Sequence, residues 1–186
     1  MKRIATLLAL IVLPFAGLLA QDFRELTPQE RKELRKKEQQ QLDSTSYAKA
    51  VEALSAQTWV LEAYTIQGQR GSLYFVNSTT NFVMMDKEKS TVQLASPYRA
   101  GYNGLGGITV EGSISGYKLE TDKHGNVSVR FMVVGVGINA EIFITLTANS
   151  NRGEAYISPN TWGRRITYKG NIVPLEDSNV YKAMPL

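Results

Sequence analysis

From Trp59 onward, apolar and polar residues alternate with a period of two. "WVLEAYTI" reads as a strand and "QGQRG" as the turn after it. "SLYFV", "NFVMMD" and "TVQLAS" follow, separated by "NSTT" and "KEKS". Beyond a glycine-rich stretch come "GITVEGSISGYKLET" and "VSVRFMV", joined by "DKHGN", where Gly125 suits the positive-φ position of a hairpin. In "GINAEIFITLTA", Ile138, Ala140, Ile142, Ile144 and Leu146 share one face. "EAYIS" and "RRITYKGNIV" complete about nine short strands with turns at regular spacing. The fold class that follows is all-β, a mainly antiparallel sandwich or barrel, because no long amphipathic helix interrupts the strands. Alternation is the same in a sandwich and in a barrel, so that choice stays open.

The pattern before Trp59 has a different period. Thr27-Pro28-Gln29-Glu30 is a helix start: Thr27 can accept from an early backbone N–H, Pro28 has no N–H to leave unpaired, and Glu30 completes a capping box. Apolar positions are sparse at first, Leu34 and Leu42, and then close up at Tyr47, Val51 and Leu54. A helical stripe therefore exists only in the second half, which predicts docking over about residues 46–57. Asp43 to Ser46 favour caps over helix interiors and predict a break. Residues 21–45 then form a charged helical arm, and 46–186 a β-rich domain with a leading docked helix. The run "RKELRKKE" interleaves basic residues with Glu33 and Glu38, the composition of a solvated face.

Residues 1–20 carry Lys2 and Arg3 followed by an uncharged apolar run broken by Pro14 and Gly17, with Ala20 as a small residue before "QDF". This is the pattern of a cleaved export signal, shorter than the roughly 20 apolar residues of a spanning helix. The expected location is periplasmic or secreted, with no stable transmembrane segment after cleavage. The chain has no cysteine, which excludes a lipoprotein anchor and disulfides. Lys2 and Arg3 are two of only 21 basic residues set against 17 acidic ones, so the remainder is nearly balanced. Nucleic acid is not an expected partner, since that footprint needs clustered basic residues.

The glycine stretch "RAGYNGLGGITVEG" invites a phosphate-loop reading. No Lys follows the glycines, and Gly104-Leu105-Gly106 runs into a strand rather than the helix whose N-terminus would hold the phosphate. The glycines read instead as a tight connection, with Gly112 and Gly116 suiting a bent strand. The loop does carry Tyr98, Tyr102 and Asn103, and "PNTWGRR" carries Trp162. Aromatic and polar residues on loops are the candidate ligand contacts of this chain.

Other chemistry finds little support. The single histidine, His124, sits at a predicted hairpin tip, and with no cysteine a zinc site is not expected. No catalytic residue, metal site or cofactor is assigned. Glu62 and Glu141 interrupt apolar strands, and a glycan hydrolase would need such a pair, but the solvent side of an antiparallel sheet accounts for each.

"LYFVNSTTNFVMMD", "AGYNGLGGITVEGSISGYKLETDKHGNVSVRF" and "GNIVPLEDSNVY" together resemble the domain-of-unknown-function family 4251, over about residues 46–182. The resemblance implies an exported bacterial protein with a shared β-rich domain, and it brings no functional residues with it. The leading expectation is non-enzymatic binding of a small molecule, lipid or glycan. The alternative is a scaffold protein of the cell envelope that meets a partner through the charged arm.

Overall fold

The computed structural model describes residues 27–95, 101–160 and 165–186. One helix, α1 (Pro28–Ala56), precedes nine strands: β1 (Thr58–Gly68), β2 (Leu73–Phe75), β3 (Phe82–Asp86), β4 (Lys89–Leu94), β5 (Ile108–Thr121), β6 (Val127–Gly135), β7 (Ile138–Leu146), β8 (Arg152–Pro159) and β9 (Ile166–Pro174). All nine strands stand where the alternation predicts them. The described residues up to Lys37 and those from Glu38 onward fall into two units. In the first, Thr27 and Glu30 form the expected capping box: the Thr27 N–H donates to Glu30 Oε2 at 2.8 Å, and the Glu30 N–H donates to Thr27 Oγ1 at 3.3 Å. The hydrogen bonds from Thr27 hold the Glu30 carboxyl below its ordinary value.

The helix does not break at Asp43–Ser46, contrary to the composition there. Asp43 accepts a 2.7 Å hydrogen bond from Gln39 one turn earlier. The propensity cost of a few polar residues, a few tenths of a kcal/mol each, is smaller than the cost of ending a helix that packs just downstream. That packing is at Ala50, Ala53 and Leu54, which are fully buried.

Every strand is antiparallel to its neighbours, and β9 pairs with β1 along the length of both, so the sheet closes on itself. The result is a barrel of eight strands. β2 is the additional strand, paired only with the far half of β1 from Thr65 to Gln67, where β3 no longer reaches. The closing seam carries a bulge at Tyr64, which is the extra residue between the Ala63–Gly170 and Thr65–Lys169 pairs. Gly170 is required there, because a Cβ would stand 2.0 Å from the Glu62 carbonyl oxygen. The bulge also restores inward pointing to Ile66 after Trp59, Leu61 and Ala63. The β5 irregularity falls between Ser115 and Lys118, at Gly116 with φ +66°, where a bent strand was expected.

The two ends of the barrel differ. At the end where β1 begins, the last turns of α1 lie against the opening. Tyr117 Oη donates to the Leu54 carbonyl at 2.6 Å, and Tyr47 Oη donates to the Gly125 carbonyl at 2.5 Å. Below them the interior is filled by rings: Trp59 meets Phe131 edge-on at 6.2 Å, and Tyr117 stacks on Phe131 at 5.7 Å. Burial pushes the Tyr117 hydroxyl up to about 12, against a smaller opposing pull from the neighbouring Trp59 indole. The indole N–H itself meets no acceptor in hydrogen-bond geometry.

The polar positions of β4 are not solvated, although alternation places Thr91 and Gln93 on the outer face. The C-terminal segment after a short 3₁₀ turn (Leu175–Asp177) lies across that face and buries them. Gln93, with no exposed surface, is its anchor. Its amide nitrogen donates to the carbonyls of Thr80 and Tyr181, and its oxygen accepts from Thr109 Oγ1 and the Ala183 N–H. Lys182 adds an ion pair to Glu111, which Lys89 also approaches at 3.4 Å.

The hydrogen bond from Lys182, with a further contribution from Lys89, holds the Glu111 carboxyl below its ordinary value of 4.5. A carboxyl lowered by folding stabilises above its unfolded value and ceases to do so as the pH falls through the folded one. Acidification below about pH 4.5 is therefore expected to reduce the amide protection of Ala183 and Leu186, whose N–H groups bond Gln93 and Thr109. Hydrogen exchange read by NMR checks this, and Glu111→Gln should remove that pH dependence.

Candidate functional site

Among the described residues, no element covers the opposite end of the barrel. There the strand ends enclose a cavity of about 470 Å³. Its floor is Val92, Val110, Ala140, Ile157 and Tyr168, all buried residues on the inner faces of β4, β5, β7, β8 and β9. Its mouth is set by Leu94, Ile108, Ile138, Pro159 and Ile166 at the strand ends. Side chains at this end are small or aliphatic: Gly135, Gly137 and Ala140 occupy positions where the closed end has Trp59 and Phe131. An eight-stranded barrel is just wide enough for its own side chains or one small ligand, so this difference in bulk decides which end is filled.

Polar groups in the cavity are few. Tyr168 is fully buried, and its hydroxyl donates to the Gln93 carbonyl of β4 at 3.1 Å. Burial raises its pKa, so the group stays neutral across the physiological range. Asn139 stands at the mouth, where its oxygen accepts from the Asn160 amide at 2.9 Å. The cavity can therefore hold apolar matter through dispersion and the release of water, with polar contacts only near its opening.

The residues singled out on the loops have different fates. Tyr98 and Trp162 lie outside the described residues. Tyr102 is 87% exposed. Asn103 is buried and committed to its own loop: its nitrogen donates to the Leu94 carbonyl and Thr109 Oγ1, and its oxygen accepts from the N–H groups of Leu105 and Gly107. These four bonds leave the amide no position for a ligand. Gly104 and Gly106 take positive φ to let the loop close, and β5 starts directly after it, so no helix N-terminus faces this loop.

Glu62 and Glu141 both point outward. Glu62 accepts a 2.6 Å bond from Ser178, and Glu141 pairs with Arg130 at 2.9 Å. Their strands are three places apart around the wall, and they stand about six residues out of register, a separation on the order of 20 Å. The carboxylate pair of a glycosidase, at most about 10 Å apart, is not assembled. His124 is exposed at the β5–β6 tip, its N–H bonded to Asp122 Oδ1. Among the described residues no cluster of three His, Cys, Asp or Glu could hold a metal ion, and no helix is long and apolar enough to cross a membrane.

A second hollow of about 450 Å³ lies outside the barrel between α1 and the 3₁₀ turn, bordered by Lys49, Glu52, Glu176 and Asp177. The Lys49–Asp177 pair spans its edge at 2.9 Å with both side chains about half exposed, so it is a solvated cleft of surface charges.

Fold and site together define a closed antiparallel barrel with one end plugged by a helix and an apolar cavity open at the other. The family model described as Domain of unknown function (DUF4251) matches residues 41–172, and the chain belongs to that family. The crystal structure of a DUF4251 family protein from Bacteroides eggerthii DSM 20697 is similar, at 44% identity and a TM-score of 0.65. The match covers 75% of this chain and 95% of that one. Nothing among curated proteins matches the chain.

Proposed function

We propose that the protein is a non-enzymatic binder of an apolar small molecule or lipid chain, which it holds inside the open end of the barrel. The observation that carries this reading is the apolar cavity of about 470 Å³, within the range of small-molecule sites and continuous with the barrel interior. A glycan fits less well, because sugar hydroxyls need several convergent hydrogen-bonding groups and the floor offers only aliphatic carbon and one committed tyrosine. The export signal expected at residues 1–20 suits a carrier that works in the periplasm or outside the cell. The exposed Tyr102 is then a contact at the entrance, and the aliphatic wall residues do the holding.

Native mass spectrometry of protein purified gently from its own cells tests the reading. The expected result is a discrete extra mass that is lost on denaturation and absent from a cavity-blocked Ala140→Phe variant. An extra mass that persists in Ala140→Phe would place the ligand elsewhere and contradict the proposal.

A further inference from the structure

We infer that the open end of the barrel is a docking face for an anionic lipid bilayer. The first observation is a ring of exposed apolar side chains around that end. Phe75 on β2 is 85% exposed, Tyr102 on the glycine loop 87%, Val136 on the β6–β7 hairpin 71% and Met184 near the C-terminus 81%. They come from four segments distant in sequence, and the topology gathers all of them at the end where the cavity opens. Scattered surface hydrophobics need no explanation, but a ring of them around an apolar mouth does.

The second observation is the sign of the charge. Among the described residues, the strand ends and turns of this end carry Arg70 and Arg165, both exposed, and no acidic side chain. The plugged end mixes the two signs, with Lys87, Lys89, Lys123 and Arg152 among Asp86, Glu88, Glu120, Asp122 and Glu176. Aromatic and aliphatic tips flanked by arginine match the interface of an anionic bilayer, where rings sit at headgroup depth and each basic residue near the surface contributes about 1 kcal/mol. Through such a face an apolar molecule would pass from the bilayer into the barrel without crossing water. That role as an entrance rests on the proposed function, whereas the docking itself does not.

The absence of cysteine allows a direct test in the full chain. An environment-sensitive fluorophore is attached at Phe75→Cys, Tyr102→Cys or Val136→Cys, and at His124→Cys on the opposite end as control. With phosphatidylglycerol vesicles the three rim probes should shift to the blue and the control should not. The double variant Arg70→Gln/Arg165→Gln should weaken vesicle binding about 30-fold, and phosphatidylcholine vesicles should bind far more weakly. Silent rim probes, a control that shifts with them, or a double variant that binds unchanged would each overturn the docking face. Ala140→Phe should keep its vesicle binding while losing its cavity ligand, so failure of the docking face and failure of the cavity reading are told apart.

Discussion

Replacing Ala140 with phenylalanine is expected to abolish binding of a neutral apolar probe, at least a hundredfold in affinity, while leaving the melting temperature nearly unchanged. Ala140 is buried, 1% exposed, and its methyl group forms part of the cavity floor. Adding a ring to a well-packed core normally costs about 1–3 kcal/mol through overpacking. Here the ring enters the cavity that Val92, Val110, Ile157 and Tyr168 also line, so the strain is small and the ring gains dispersion contacts. Thermal unfolding and a fluorescence titration of N-phenyl-1-naphthylamine on the same samples separate the two effects. A large fall in melting temperature would mean that the end is packed after all.

Trp59→Ala is expected to have the opposite profile. Trp59 has no exposed surface and sits under the helix plug against Phe131. Removing a buried aromatic costs about 3–5 kcal/mol, which for a domain of this size lowers the melting temperature by roughly 12 °C. Trp59→Phe should recover most of that loss, because the indole N–H has no acceptor to forfeit while the ring contact survives. Thermal unfolding followed by circular dichroism checks both variants. If Phe is as damaging as Ala, the indole N–H makes a bond that the packing does not reveal.

These two residues also show what could be read from the sequence. The strand positions were legible because each strand of the wall has one buried face, and alternation records that directly. Closure was not legible. The pairing of β9 with β1 depends on the Tyr64 bulge and on Gly170, and a single chain's alternation does not say which edges meet. The buried polar residues of β4 were missed for a related reason. Gln93 looks like a solvent-facing residue until the C-terminal segment is laid across it. The continuous helix through Asp43–Ser46 is not legible in local propensity, which favours a break there, because the packing at Ala50 and Leu54 sets that preference aside.

The cavity was hidden for a deeper reason. Val92, Val110, Ile157 and Ile166 line it, and by type they are indistinguishable from residues that fill a core. The loop residues Tyr102 and Asn103 stand out by type, yet one is exposed and the other is bonded within its own loop. One signal was available: bulk is unevenly distributed along the barrel, with Trp59 and Phe131 toward one end and Gly135, Gly137 and Ala140 toward the other. Read along the strands, that gradient points to which end is open.

The most direct measurement is a methyl NMR titration of the protein with N-phenyl-1-naphthylamine. The account predicts saturable one-to-one shifts at the methyl groups of Val92, Ile108, Val110, Ile138, Ile157 and Ile166, with Leu61 and Leu54 at the plugged end unmoved. Shifts spread over the outer faces of the strands, or shifts centred on the plugged end, would contradict an apolar site in the open end of the barrel.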